Sequence, residues 1–337
     1  MEFFGLSLFG SLTSGALIAV ASVIFLVGLA LIIKGGDWFV DSASWFAEAT
    51  GIPKFVVGAT VVSFATTLPE LLVSVRAAMN GSAQLAIGNA IGSVTANTTL
   101  IMGVSLVAMA GVVSRKSFSL KGGLLLAAII GLTILSLGGV LPTWSAYILW
   151  AIFLVFMTSN LIEGKKAAEN DTIDAHEKKQ IPSKIFFFVI GTASIVFGAE
   201  FLVSSGKTIA SGIGISETII GFTVIALGTS LPEFVTTLTA IRKKESSLSV
   251  GNIIGANIID STLILPLCAV INGTALPVER VNLTFDFPVC IAACAVAIVP
   301  TIIMGKFKKW QGYALLAIYA SYMALLVLNE TGLIALA

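Results

Sequence analysis

Gly58-Ala-Thr-Val-Val-Ser-Phe-Ala-Thr-Thr-Leu-Pro-Glu70 and Gly221-Phe-Thr-Val-Ile-Ala-Leu-Gly-Thr-Ser-Leu-Pro-Glu233 are two copies of one stretch. A second shared block follows each: Gly88-Asn-Ala-Ile-Gly-Ser-Val-Thr-Ala-Asn97 in the first copy, Gly251-Asn-Ile-Ile-Gly-Ala-Asn-Ile-Ile-Asp260 in the second. A constant offset of 163 residues superposes the copies without a gap from Gly35 to Ile101. Gly35 then matches Gly198, Pro69 matches Pro232, Glu70 matches Glu233 and Asn89 matches Asn252. Chance likeness between apolar helices pairs leucines with valines. It does not hold proline, glutamate and asparagine in register.

The sequence around these stretches is that of a membrane protein. Apolar residues make up 57% and charged residues 11%, where soluble chains carry about 25% charged residues. Apolar runs near 15–34, 54–79, 84–111, 121–139, 143–162, 184–205, 215–241, 248–271, 284–304 and 310–329 each approach the roughly 20 residues that cross a hydrocarbon core. The reading is an all-α multi-pass protein with ten transmembrane helices. With the N-terminus outside, every Lys and Arg except Arg76, Lys207 and Arg280 falls on the cytoplasmic side, as the positive-inside rule demands. Both termini are then outside. No cleavable signal peptide is evident in Met1 to Ser14, which lacks a basic n-region. Net charge is +1, which argues against nucleic acid as a partner; the partner the composition implies is the lipid bilayer, with no obligatory protein partner evident. Cys268, Cys290 and Cys294 all lie in apolar runs and read as core residues. Five tryptophans near span ends read as interfacial anchors.

Each half holds five spans, an odd number, so the second half enters the membrane in the opposite sense. That is the inverted-repeat plan of secondary transporters, with the substrate site near the midplane. The expected organisation is a first five-helix repeat over 1–162 with its motif at 58–103. A cytoplasmic linker follows over 163–183, then a second repeat over 184–337 with its motif at 221–266. The linker is charged and holds the sole histidine, His176; it reads as a solvated connection.

The repeated residues carry a chemistry. Ser63, Thr66, Thr67 and Glu70 recur at helical spacing and share one stripe, and Ala226, Thr229, Ser230 and Glu233 do the same in the second copy. Pro69 and Pro232 lack an N–H, so carbonyls one turn earlier lose their helical partner. Freed carbonyls beside hydroxyls and a carboxylate are hard oxygen donors, the kind Ca²⁺ and Na⁺ take. Ser93 and Asn97 in one copy, and Asp260 in the other, extend the polar set; Asn89 and Asn252 are equally suited to a helix–helix hydrogen bond. Three carboxylates at membrane depth cost on the order of 8–10 kcal/mol if uncompensated, and no mid-span Lys or Arg is positioned to neutralise Glu70, Glu233 and Asp260. Bound cations are the simplest remedy.

At these residues the chain resembles the sodium/calcium exchanger family of the calcium/cation antiporters, in its prokaryotic-type build with a short cytoplasmic loop. The family's paired motif reads roughly Gly-Thr-Ser-Leu-Pro-Glu, then Gly-Asn-x-x-Gly-Ser-Asn. Here it stands as Ala65-Thr-Thr-Leu-Pro-Glu70 with Gly88 to Val94, and as Gly228-Thr-Ser-Leu-Pro-Glu233 with Gly251 to Asn257. The resemblance implies Ca²⁺ on Glu70 and Glu233 with backbone oxygen from Thr66 and Thr229, and a central ring completed by Asn97 and Asp260. It implies Na⁺ on Thr66, Thr67, Ser93, Thr229, Ser230 and the Ala226 carbonyl. Ser63 stands in place of the usual alanine, Ala256 in place of a serine and Val94 in place of an asparagine; the lost Ala256 hydroxyl weakens one flanking Na⁺ site. The implied function is exchange of Na⁺ for Ca²⁺ by alternating access, with Ca²⁺ extrusion across a prokaryotic cytoplasmic membrane. No enzymatic activity and no organic cofactor are implied. An H⁺- or K⁺-coupled antiporter of the same build is the alternative, and a cation channel the more distant one.

Overall fold

The computed structural model describes residues 14–111, 115–168, 179–212, 228–273, 275–330 and 333–334. In chain order the helices are α1 (Ser14–Thr50), α2 (Lys54–Thr66), α3 (Leu68–Met79), α4 (Ala83–Met109), α5 (Arg115–Ser136) and α6 (Ser145–Ala168). They continue as α7 (Ile181–Gly212), α8 (Leu231–Arg242), α9 (Ser246–Ile271), α10 (Asn282–Met304) and α11 (Lys309–Glu330). A short antiparallel ribbon, β1 (Val140–Pro142) with β2 (Ala275–Pro277), ties two loops together. Helices dominate because a chain in hydrocarbon has to satisfy its own backbone groups.

Eight of these helices are long and apolar enough to cross a membrane, and α2 with α3 makes a ninth if the bent pair is one span. Nine of the sequence-derived spans thus coincide with described helices. The other, 215–241, is described only in its later half, as α8 and the turn before it. Two boundaries differ from the sequence reading. Helix α1 does not stop near residue 34 but runs on to Thr50. At the linker, α6 continues through Ala168 and α7 begins at Ile181, while His176 lies outside the described residues.

Packing divides the molecule into two units. In the larger one α4 and α9 are the innermost spans, 78% and 83% buried, against 17% for α1. Its core joins Ile87, Ile91 and Met102 of α4 to Ile253, Ile258 and Cys268 of α9 and to Phe287, Cys290 and Cys294 of α10. No residue of α1 or α7 belongs to that core. They contribute instead to a second cluster, where Phe39, Val40 and Ala43 of α1 meet Ile195 of α7 and, at its edge, Val57, Val62 and Leu248.

Glycine sets how α1 and α7 meet. A Cβ on Gly28 would stand 2.9 Å from the Gly198 carbonyl oxygen, and one on Gly198 would stand 2.8 Å from that of Gly28. Gly35 and Gly191 form the same reciprocal pair, each 2.9 Å from the other's carbonyl. Numbers rise along one helix as they fall along the other, so the pair is antiparallel. Backbone lies on backbone, the close approach that small residues permit between membrane helices. A second seam of this kind joins α2 to α9, where Gly58 faces the Leu248 carbonyl and Gly251 faces the Phe55 carbonyl. That seam brings the first motif against the second.

Candidate cation site

Between α2 and α3 the helix breaks at Thr67 and bends by 47°. Proline explains the position: Pro69 occupies the first turn of α3, where a missing N–H costs nothing, and its ring excludes a straight continuation from α2. The same arrangement recurs before α8, where Ser230 precedes the helix and Pro232 lies in its first turn. Each break leaves a glutamate, Glu70 or Glu233, in the first turn of the following helix. The orientation suits a carboxylate, because first-turn N–H groups carry the positive end of the helix dipole.

The second block is locally unusual as well. Helix α4 loosens into a π turn over Asn97–Ile101, and α9 does so over Asp260–Ile264. The two turns begin at equivalent positions of the repeat. A π turn admits one extra residue and disturbs the regular ladder, a form common at functional sites. In both cases its first residue is the amide or carboxylate, followed by two hydroxyl residues.

These elements converge. Glu70 and Glu233 are 1% and 0% exposed, and Asn97 and Asp260 are equally enclosed. The Thr67 hydroxyl bridges the halves, 3.2 Å from Glu233 Oε1 and 2.7 Å from the Ser63 carbonyl oxygen. Thr66 lies 3.2 Å from Asn252 Oδ1, and Ser230 donates to Ser93 at 3.3 Å. Glu70 lies within coulombic range of both Glu233 and Asp260. A cavity of about 80 Å³ borders Ser230 and is otherwise apolar, lined by Ala96, Leu100, Ile101, Leu231 and Phe234.

The polar atoms of this cluster are poorly satisfied by protein. Both carboxylate oxygens of Glu70, both of Asp260, Glu233 Oε2 and both amide atoms of Asn97 are buried with no hydrogen-bond partner among the described residues. Natural folds pair nearly all buried polar groups, and a cluster of exceptions calls for an explanation such as a bound ion or water. Among the described residues no three acidic, His or Cys side chains close on one point, so hydroxyl, amide and backbone oxygens must complete any cation shell.

A profile of the family described as sodium/calcium exchanger protein matches residues 20–161 and, separately, residues 183–328. The chain belongs to the sodium/calcium exchanger family. Within it, this chain is 30% identical over 349 residues to the sodium/calcium exchanger MaX1 of Methanosarcina acetivorans, covering 92% of this chain and 99% of that protein. It is 32% identical over 305 residues to an uncharacterised membrane protein of Methanocaldococcus jannaschii, covering 88% and 94%. A solved structure of the sodium-calcium exchanger NCX_Mj, soaked with 2.5 mM Na⁺ and 10 mM Sr²⁺, superposes with a TM-score of 0.80 at 29% identity. That match covers 91% of this chain and 99% of the other.

Of the residues singled out from sequence in this exchanger family member, Glu70, Glu233, Asn97, Asp260, Thr66, Thr67, Ser93 and Ser230 lie buried at the junction of the two motifs. Thr229 is partly buried in the turn before α8, and Ala226 lies outside the described residues. Ser63 is buried but turns to its own backbone, donating to the Thr60 carbonyl at 3.0 Å, and packs against Gly255. Asn89 holds Ser74 and the Glu70 carbonyl oxygen, a helix–helix role. Asn252 combines both roles, since its oxygen receives Thr66 while its Nδ2 has no partner among the described residues. Sequence reading passed over the link from Asn257 Nδ2 to Thr98 Oγ1, at 2.8 Å. The signal was the last asparagine of the second motif, whose partner 159 positions away no local pattern reveals.

Proposed function

We propose that the chain is a secondary antiporter that exchanges Na⁺ for Ca²⁺ by alternating access and extrudes Ca²⁺ across the cell membrane. The observation that carries this is the cluster of Glu70, Glu233, Asp260 and Asn97, whose buried oxygens, Glu233 Oε1 apart, lack hydrogen-bond partners among the described residues. Ca²⁺ takes six to eight oxygens at roughly 2.3–2.6 Å, and charged carboxylates raise its affinity. In this reading Glu70 and Glu233 hold Ca²⁺ with backbone oxygens of Thr66 and Thr229, and Asn97 and Asp260 close the ring. Na⁺ uses the flanking oxygens of Thr66, Thr67, Ser93, Thr229, Ser230 and the Ala226 carbonyl, and shares the two glutamates. Sharing makes the loads compete, and competition for one site yields exchange rather than co-transport. Occupancy neutralises the carboxylates, so the loaded protein changes state more readily than the empty one.

The same reading takes the chain as ten spans in two inverted five-helix repeats, 1–162 and 184–337, joined by a cytoplasmic linker over 163–183, with both termini outside. Three observations support it. The family profile matches once in each half. The reciprocal Gly28–Gly198 and Gly35–Gly191 contacts are those of a two-fold axis, because the offset of 163 maps Gly28 onto Gly191 and Gly35 onto Gly198. The π turns at Asn97 and Asp260 begin at residues related by that same offset. The named exchangers among the relatives support the choice of ions.

Radiolabelled Ca²⁺ uptake into Na⁺-loaded proteoliposomes tests the function. Uptake is expected to follow the outward Na⁺ gradient; uptake that ignores Na⁺ and follows an H⁺ or K⁺ gradient would reassign the coupling ion. A second expectation concerns the repeat's asymmetry. Ala256, fully buried, occupies the place of Ser93 in the second copy. Ala256→Ser restores a ligand worth about 1 kcal/mol, so half-maximal exchange should need roughly fivefold less Na⁺. A Na⁺ titration of uptake reads this directly, and an unchanged midpoint would remove Ala256 from the Na⁺ path.

A further inference from the structure

The α1–α7 pair lies outside the main core, yet charged side chains tie one end of it down. Lys243, at the elbow between α8 and α9, donates to Asp41 of α1 at 2.8 Å and stands 3.7 Å from Asp37. Arg242 pairs with the same Asp37. Lys54, at the start of α2, is a hub: its ammonium lies 2.7 Å from Glu48 of α1 and 2.7 Å from Glu245 of the elbow. Lys54 and Glu245 also wall a cavity of about 430 Å³, so these charges border open space rather than packed core.

Every one of these contacts falls on the face that the charge distribution assigns to the cytoplasm. The repeat allows a direct comparison with the opposite face. The offset of 163 maps Asp41 and Glu48 onto Ser204 and Ser211, and Arg242 and Lys243 onto Met79 and Asn80. It maps Lys54 onto Glu217, with reversed sign, and Glu245 onto Ser82. Only Asp37 keeps its charge, as Glu200. The motif residues of the two halves agree, as at Gly58 and Gly221, Pro69 and Pro232, and Glu70 and Glu233, while the charges at these positions do not. A symmetric antiporter would have no use for such a difference.

We propose that these ion pairs form a one-sided clamp, which holds the inner end of the α1–α7 pair against α8 and α9 and biases the protein toward the state closed to the cytoplasm. The proposal rests on the inverted topology and alternating access argued above. Exposed ion pairs are individually weak, but a transporter needs only a modest bias to set which face its empty site visits more often. The clamp is weak enough to open in each cycle and strong enough to tilt the populations.

The test uses the full chain in proteoliposomes, with Thr239→Cys as reporter. Thr239 is 7% exposed and faces Gly36 of α1, so movement of α1 uncovers it. The native cysteines are buried, and the parent without the reporter gives the background. Lys243→Met and Lys54→Met keep the apolar stem and remove the charge. Each is expected to speed labelling from the cytoplasmic side, by a membrane-impermeant maleimide, roughly fivefold. Lys243→Arg and Lys54→Arg keep the charge and should label at the parent rate, which separates the clamp from lost packing. Equal rates in the Met and parent proteins, or equally fast labelling in the Arg variants, would overturn the proposal. Labelling reports the clamp and Na⁺-driven Ca²⁺ uptake reports the transport reading, so the two fail separately.

Discussion

Glu70→Gln is expected to lower Na⁺-driven Ca²⁺ uptake by about 100-fold or more while making the protein harder to unfold. Both effects have one origin. The Glu70 carboxylate is buried, neither oxygen has a hydrogen-bond partner among the described residues, and Glu233 and Asp260 are close enough to repel it. A carboxylate at membrane depth costs about 2.5–3.5 kcal/mol on insertion scales, and the amide relieves that cost. The amide leaves the bound cation one neutral oxygen in place of two charged ones, each worth about 1.5–3 kcal/mol, which is where the 100-fold comes from. Thermal unfolding in detergent should therefore shift upward as transport disappears. A residue with a purely structural role would move the two measurements together. Uptake within about threefold of the parent would remove Glu70 from the site. In Glu233→Gln the gain in stability should be smaller, because Thr67 already donates to Glu233 Oε1 and that bond weakens with the charge.

Gly251→Ala is expected to prevent assembly of the folded protein, the largest effect on stability foreseen here. The added methyl would collide with the Phe55 carbonyl group and stand 3.1 Å from the Ala59 nitrogen. These are backbone atoms of α2 and cannot rotate aside. Overpacking a closed core costs typically about 1–3 kcal/mol when side chains can yield, and here none is available to do so. The damage also reaches function, since the α2–α9 seam sets the distance between the two motifs. The matched control is Gly131→Ala in α5, which meets nothing within 4 Å among the described residues. That change should be neutral or stabilise by about 1 kcal/mol through helix propensity. Comparable yields of monodisperse protein for both variants would show that the seam tolerates a side chain.

The sequence showed some of this architecture plainly and hid the rest for physical reasons. Long apolar runs mark spans because hydrocarbon selects composition directly, and nine of them coincide with described helices. The helix break at Thr67 was legible from Pro69, and the buried cluster from Glu70 and Glu233. The extension of α1 to Thr50 was not. Asp37, Asp41 and Glu48 interrupt the apolar pattern, and what answers them are Arg242, Lys243 and Lys54, two of these contributed from some 200 positions away. The π turns were hidden too, because α4 and α9 are buried on nearly every side and have no apolar stripe whose phase one inserted residue could shift. Ser63 read as a member of the ligand stripe, but the same backbone spacing lets its hydroxyl return to Thr60.

The paired π turns reach back to the history of the chain. The insertions at Asn97 and at Asp260 stand at matching positions of the two halves, as a shared origin would leave them. On the inverted-repeat reading the insertion was present before the gene doubled, when a polypeptide of half this length inserted into the membrane in both orientations and paired with itself. Such an ancestor would carry one glutamate per subunit and one kind of residue at the head of its π turn, and its site would be two-fold symmetric. The halves have since diverged, and Asn97 in one, where Asp260 stands in the other, leaves the cluster with three carboxylates rather than four.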